Sequence, residues 1–216
     1  MHNSNNNSNW VVWLVEDDLD VQESIVDMVH SMGVNVEAFA SAEEFLAGFD
    51  SHRKGCLVTD MRMAGISGLE LIQTLRRNGH LLPVILVSGH ANVEMTVQAM
   101  NSGAMTVLPK PFSMEELSDV IGNARKRDVR VRLDQAHSSD ARVRLSRLTV
   151  SEFQVLNLIA QGQSNKAVAR DLDVSLRTVE DRRRRVYNKL GVASLAGVME
   201  IAIGRKYSTD TIRDPS

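Results

Sequence analysis

Cys56-Leu57-Val58-Thr59-Asp60 decides the fold. Four residues of apolar or β-prone character end abruptly in a carboxylate, and Gly65 and Gly68 follow. The pattern predicts a buried parallel strand whose C-terminal tip presents Asp60 to a crevice, because ligands of open α/β sheets sit outside the carboxyl ends of the strands. Other apolar runs end in polar groups too. Trp10-Val11-Val12-Trp13-Leu14-Val15 leads into Glu16-Asp17-Asp18, Val84-Ile85-Leu86-Val87 into Ser88-Gly89-His90, and Thr106-Val107-Leu108 into Pro109-Lys110-Pro111. If these strands are parallel neighbours, the acids, the hydroxyl and the lysine converge on Asp60.

Between the runs the period turns helical. Ile25, Val26, Val29 and Met32 mark a helix stopped by Gly33, and 34–39 alternate as a second strand. Ser41 with Glu44, and Ser113 with Glu116, read as capping boxes. Leu69, Ile72 and Leu75, then Val93, Thr96, Val97 and Met100, mark two more helices. Five successive βα units predict a doubly wound α/β fold with a five-stranded parallel sheet over residues 10–125. From Leu148 on the period is helical throughout, predicting an all-α four-helix unit over 147–204. Residues 1–9, rich in Asn and Ser, are expected to be a disordered tail and 205–216 a loose polar one. Residues 126–146 are expected to be a partly helical linker with a flexible break at His137-Ser138-Ser139-Asp140; a single long charged helix is the alternative.

The net charge of −2 conceals a split. Residues 1–124 hold 6 Lys+Arg against 16 Asp+Glu, and residues 125–216 hold 19 against 11. A basic half of this kind points to nucleic acid. No apolar run approaches membrane-helix length and no secretory signal is evident, so no membrane partner is expected. The lone Cys56 excludes an intrachain disulfide and fits a reducing, cytoplasmic setting.

Glu16, Asp17 and Asp60 at adjacent strand tips would repel one another, and their pKa values would rise, without a counter-ion. A hard divalent cation resolves this: Mg²⁺ takes oxygen ligands and keeps several waters. Lys110 supplies a point charge and Ser88 a hydroxyl for phosphoryl oxygens, and Asp60 is then a plausible nucleophile, since carboxylates can carry phosphoryl groups. Singly, each residue has a bland reading as an N-cap, turn residue or solvated charge; the combination does not.

Val15-Glu16-Asp17-Asp18, Val58-Thr59-Asp60-Met61-Arg62-Met63, Ser88-Gly89-His90-Ala91 and Lys110-Pro111-Phe112 resemble the receiver domain of two-component response regulators. The resemblance implies that Asp60 is the phospho-acceptor, Ser88 the switch hydroxyl and Lys110 the phosphate lysine. It implies that Asp17 binds Mg²⁺ directly, that Glu16 acts largely through water, and that the backbone carbonyl of Arg62 completes the protein ligands. Gly89 would leave the approach to Asp60 open, and the Lys110–Pro111 bond would be cis. Ala64 stands where the family usually has proline, which suggests a looser loop, and Val107 stands where it usually has an aromatic residue.

Ser164 to Leu190 contain a helix, a short Asp173-Val174-Ser175 break and a second helix, the spacing of a helix-turn-helix. Arg182-Arg183-Arg184-Arg185 span just over one turn and cannot all face one way. The period places Arg182 and Arg185 outward with Thr178, Asp181 and Lys189, Arg184 with Glu180, and Arg183 nearest the core. Leu148-Thr149, Glu152, Val155-Leu156, Gly162, Asn165-Lys166, Val174-Ser175, Thr178-Val179 and Lys189-Leu190-Gly191-Val192 resemble the LuxR-type DNA-binding domain. Lys166, Arg177, Thr178, Asp181, Arg182, Arg184, Arg185 and Lys189 are the expected DNA contacts.

Together the resemblances imply a FixJ/NarL-type transcription regulator rather than an enzyme. A histidine kinase would phosphorylate Asp60, and a homodimer would then bind double-stranded DNA. The alternatives are a Mg²⁺-dependent phosphatase using Asp60 and a DNA binder that does not need phosphorylation. Phosphate release from a foreign substrate would distinguish the first, and the complete acidic set argues against the second.

Overall fold

The computed structural model describes residues 10–89 and 92–201. The expected tails at 1–9 and 205–216, and His90 and Ala91 of the motif after Ser88, lie outside the described residues. The chain divides into two units, Met1–Val131 and Arg132–Ser216.

The first unit holds β1 (Trp10–Val15), α1 (Leu19–Ser31), β2 (Asn35–Phe39), α2 (Ala42–Gly48), β3 (Lys54–Asp60), α3 (Gly68–Arg77), β4 (Val84–Ser88), α4 (Val93–Asn101) and β5 (Thr106–Pro109). All pairs are parallel and the strand order is β2-β1-β3-β4-β5. This is the flavodoxin-like doubly wound order, with its switch point between β1 and β3. Alternation along each strand sends neighbours to opposite faces. Val11, Trp13, Leu57 and Leu86 pack with Phe45 of α2 and with Leu71 and Leu75 of α3. Val12, Leu14, Val58, Ile85 and Val87 pack with Ile25 and Val29 of α1 and with Leu117 and Ile121 beyond β5. β1 and β4 are buried along their whole length, which is why they read as continuous apolar runs.

Helix starts follow the sequence closely. Asp18 caps α1, accepting from Asp20 and Val21 N–H, and Ser67 forms a full capping box with Glu70. Ser41 caps α2 through Glu44 N–H, but Glu44 Oε2 accepts from Ala40 N–H at 2.9 Å, so the expected reciprocal box is opened by one residue.

The next helix, α5, runs unbroken over Met114–Ser146. The break expected at residues 137–140 does not form. No Gly or Pro occurs between residues 123 and 146, and Asp140 pairs with Arg144 at 2.8 Å in the i,i+4 arrangement that supports a helix. Within the first unit, Asp128 of α5 is buried and accepts from Trp10 Nε1 at 3.0 Å, and the Arg125 guanidinium lies 5.7 Å from the Trp10 ring centroid.

The second unit continues with α6 (Val150–Ala160), α7 (Asn165–Asp171) and α8 (Leu176–Leu190), and residues 195–201 form a further helix, α9. Residues 202–204 of the expected four-helix unit lie outside the described residues. Val155, Ile159, Val168 and Val179 form one core, and Leu156, Val186, Leu190 and Val198 a second. Thr149 caps α6 with Glu152 in a capping box, and Gly191 ends α8 at φ 67°.

Candidate functional site

Parallel pairing sets the tips of β1, β3 and β4 side by side and brings β5 next to β4. Asp60 ends β3, Glu16 follows β1 and Ser88 ends β4; all three are buried. Lys110, just past β5, reaches across the crevice. Its Nζ donates to Asp60 Oδ1 at 2.7 Å and to Glu16 Oε2 at 2.6 Å. The other Asp60 oxygen, Oδ2, accepts from Arg62 N–H at 2.6 Å. The Lys110–Pro111 bond is cis.

The loop after β3 fixes this geometry. Gly68 N–H donates to Met61 O at 3.3 Å, and a Cβ on Gly68 would stand 2.1 Å from Asp60 O. Only glycine lets the start of α3 approach the acceptor strand this closely. A Cβ on Gly89 would meet nothing within 4 Å, so its missing side chain leaves open space rather than relieving a clash. Val107 is half-buried against the side of the sheet that carries α2 and α3.

The electrostatics follow from burial and pairing. Burial lifts the Glu16 carboxyl above the ordinary carboxylate range, against the opposing pull of Lys110. Burial alone would lower the Lys110 ammonium, but its hydrogen bonds to Asp60 and Glu16 outweigh that and carry it upward. Lys110 meets two acids, and Asp17 beside Glu16 in sequence adds a third to the strand ends, a balance of −2 that suits a divalent cation. The donors are all oxygens, as Mg²⁺ requires. Asp17 is exposed, and its Oδ2 accepts from Ala64 N–H at 2.8 Å. Among the described residues, no three His, Cys, Asp or Glu side chains converge tightly enough to hold a metal as they stand.

In the second unit, α7, the turn and α8 form a helix-turn-helix, with Asp173 at φ 51° making the turn. Aspartate tolerates this left-handed conformation better than most side chains. Arg177, Arg184 and Arg185 are exposed, and Thr178, Asp181 and Arg182 half-buried. Lys166 is exposed on α7. Arg184 Nη2 pairs with Asp181 Oδ1 at 2.7 Å. Arg183 lies on the inward side: its Nη1 donates to Asn165 Oδ1 at 2.8 Å and its Nη2 to Tyr187 Oη at 2.9 Å. Lys189 Nζ donates to the buried Glu152 Oε2 at 2.6 Å, so the ammonium expected to meet DNA is engaged inside the unit. That pairing, with the cap at Thr149 N–H, holds the Glu152 carboxyl below its ordinary range. A cavity of about 420 Å³ opens beside α8, lined by Asn165, Glu180, Arg183, Arg184, Tyr187 and Asn188 among others.

Residues 12–122 match the response regulator receiver domain, and residues 146–202 match the bacterial regulatory proteins of the luxR family. This chain belongs to the response regulators. It is 37% identical to the transcriptional regulatory protein FixJ of Rhizobium meliloti over 91% of this chain and 96% of that protein. It is 34% identical to the response regulator protein TodT of Pseudomonas putida over 88% of this chain and 84% of TodT. Among solved structures, response regulator StyR superposes with a TM-score of 0.75 at 35% identity, covering 91% of this chain and 99% of StyR. Full-length FixJ from B. japonicum gives a TM-score of 0.55 at 30% identity, covering 93% and 98%. The response regulator thus joins a receiver to a LuxR-type DNA-binding domain. No helix among its described residues is long and apolar enough to cross a membrane.

Several working contacts of this response regulator carry no side-chain signature. The Arg62 and Ala64 N–H groups are backbone donors. Gln22 Nε2 donates to Glu16 O at 2.9 Å and Phe39 O at 3.0 Å, bracing the acidic turn, yet in sequence it is one more polar helix residue. Arg76 is a mostly buried cation donating to the carbonyls of His80, Leu82 and Gly103 at 2.7, 3.0 and 2.7 Å; burial pulls its pKa down to about 10.

Proposed function

We propose that Asp60 accepts a phosphoryl group from a partner histidine kinase and that this controls dimerisation and sequence-specific DNA binding. The observation that carries the reading is the convergence of Lys110 on Asp60 and Glu16 at the strand tips, in a chain whose other unit is a helix-turn-helix with exposed arginines.

In the transfer, an Asp60 carboxylate oxygen attacks phosphorus. A P–O bond forms, the P–N bond to the kinase histidine breaks, and its electron pair stays on the imidazole. Asp17, Asp60, the Arg62 carbonyl and Glu16 would hold Mg²⁺. When bound, the ion neutralises charge on the transferring group. Lys110 is placed to move its charge from the free carboxylate to a phosphoryl oxygen. Arg62 N–H keeps the acceptor side chain oriented. Ser88, buried at the adjacent tip, supplies the hydroxyl drawn toward the phosphoryl group. The added charge biases the α4–β5 face, where Val97 and Met100 are exposed, toward a second copy. Two helix-turn-helix units then meet two half-sites.

On DNA, the exposed Arg177, Arg184 and Arg185 with Lys166 supply positive charge, and Arg182 with Thr178 and Asp181 lies toward the start of α8, where base edges are read. The test is DNA binding by the full chain with and without a small phosphodonor and Mg²⁺. Tighter specific binding with donor, absent in Asp60→Asn, supports the reading; binding indifferent to donor overturns it.

A further inference from the structure

We propose that Asp181 selects for cytosine in the duplex that α8 reads, with Arg184 holding its carboxylate in place. The proposal rests on the reading of α8 as the helix that enters the major groove.

α8 carries Arg177, Arg182, Arg183, Arg184, Arg185 and Lys189 against two acids, Glu180 and Asp181. Glu180 is exposed and lines the cavity beside the helix. Asp181 has a different setting. Val179, Val186 and Leu190 bury one face of α8, and Asp181 lies two positions past Val179, about 200° around the helix. It also lies in the N-terminal half, the part of such a helix that reaches base edges. Asp181 Oδ1 accepts from Arg184 Nη2 at 2.7 Å. Among the described residues, its Oδ2 accepts no hydrogen bond from another protein group. The Asp181 side chain is 41% exposed and that of Arg184 74%, so both present polar atoms to an approaching duplex.

As a stabilising device this pair is weak, because water screens both members of an exposed i,i+3 ion pair. On DNA the acid has two opposite effects. Facing phosphates, a carboxylate lowers affinity for every sequence alike. Facing base edges, it discriminates, because it only accepts hydrogen bonds. In the major groove guanine and thymine offer acceptors, adenine sets an acceptor beside its N6 amine, and cytosine offers the N4 amine as a donor. Asp181 Oδ2 is the atom available to accept from that amine. Arg184 cancels the charge of the carboxylate and fixes its orientation, so Arg184 acts here as a positioning residue.

The experiment lets the full-length protein, with and without phosphodonor and Mg²⁺, select from a pool of random duplexes, which are then sequenced. Affinities for the enriched duplex and a random one are read by fluorescence anisotropy across a salt series. The parent should enrich a cytosine whose exchange for thymine weakens binding about five- to thirtyfold. With Asp181→Asn the preference at that position should move to adenine, whose N6 donor and N7 acceptor match an amide. Asp181→Ala should lose the preference there, yet bind the random duplex about two- to fivefold more tightly, because the helix gains one net positive charge. Arg184→Ala should keep cytosine preferred by a narrower margin. The same enriched sequence for the parent, Asp181→Asn and Asp181→Ala would overturn the proposal. If Asp181→Ala fails to fold, Asp181→Asn, which keeps the shape of the side chain, decides alone. A parent that enriches no sequence would instead overturn the reading of α8 as a groove-reading helix.

Discussion

In the crevice, four charged groups come from the ends of three strands, and each is held by a partner distant in sequence: Lys110 by Asp60 and Glu16, and Asp17 by Ala64. On α8 the charges come from consecutive positions, and their partners divide them. Arg183 is tied inward to Asn165 and Tyr187, Arg184 to Asp181 and Lys189 to Glu152, while Arg182 and Arg185 make no ion pair among the described residues. The crevice buries Glu16 and Asp60 under the Lys110 ammonium, where water screens little, so each of these groups counts. The helix spreads charge where water screens it, so position on the helix, not number of arginines, decides what each can do.

The largest effect expected from this contrast is at Asp60. Asp60→Asn should abolish the phospho-adduct seen by mass spectrometry after phosphodonor and Mg²⁺, with the circular dichroism spectrum unchanged; an undiminished adduct would remove Asp60 from its role. Next comes α8. Arg182→Ala should weaken binding to a specific site by about 1–3 kcal/mol and relax the preference there. Arg185→Ala should weaken specific and random duplexes alike and lower the salt slope by roughly one unit, read from salt titrations. Arg183→Ala should lower the stability of this unit by about 1 kcal/mol while changing DNA affinity less than either. Were Arg183→Ala the most damaging to DNA binding at unchanged stability, the helix would be rotated from this description.

Lys189 and Glu152 sharpen the comparison, because here the basic helix borrows the crevice's device of a buried acid with a cation over it. Lys189→Ala should cost the second unit about 1–3 kcal/mol by stranding the Glu152 carboxylate, and should affect DNA binding chiefly through that loss. The pH dependence has a definite sign. A carboxyl whose folded pKa is depressed contributes stability above its unfolded value, near 4.5, and loses that contribution as pH falls through the folded value. Glu152→Gln should therefore flatten the acid end of the stability profile of α6 and α8, followed by amide exchange. The smallest difference concerns the metal: Asp17→Ala should weaken Mg²⁺ binding more than Glu16→Ala, since Glu16 is already committed to Lys110, and calorimetric titration of both variants would check the order.

What was legible in the sequence was whatever a side chain or a period announces. Apolar runs ending in Asp60, Glu16-Asp17 and Ser88 gave away both the sheet and the residues at its tips, because parallel order alone brings those tips together. Thr149 with Glu152, and Ser175, residue types that favour helix N-caps, mark where α6 and α8 begin. The continuity of α5 was legible only as the alternative to a break, since Ser138, Ser139 and Asp140 favour caps and turns in isolation, whereas the i,i+4 pair of Asp140 with Arg144 supports the helix. The backbone donors at Arg62 and Ala64 were not legible, because every residue but proline has an N–H and only the folded loop says where it points. Lys189 reads by period as outward, and only the folded unit shows that its long flexible side chain reaches the buried Glu152.

Trp10 and Trp13 lie three residues apart on β1, on opposite faces of the sheet. Trp13 packs among Phe45 and Phe49, with ring centroids 6.4 and 5.3 Å away, whereas the Trp10 indole donates to the Asp128 carboxylate under the Arg125 guanidinium. The molecule therefore carries its two tryptophans in unlike surroundings. With Trp13→Phe, the remaining emission reports the polar seam between β1 and α5. With Trp10→Phe, it reports the aromatic pocket beneath α2. Spectra of the two single-tryptophan proteins, taken as phosphodonor is added, would show which side of the sheet answers first, without any label attached to the chain.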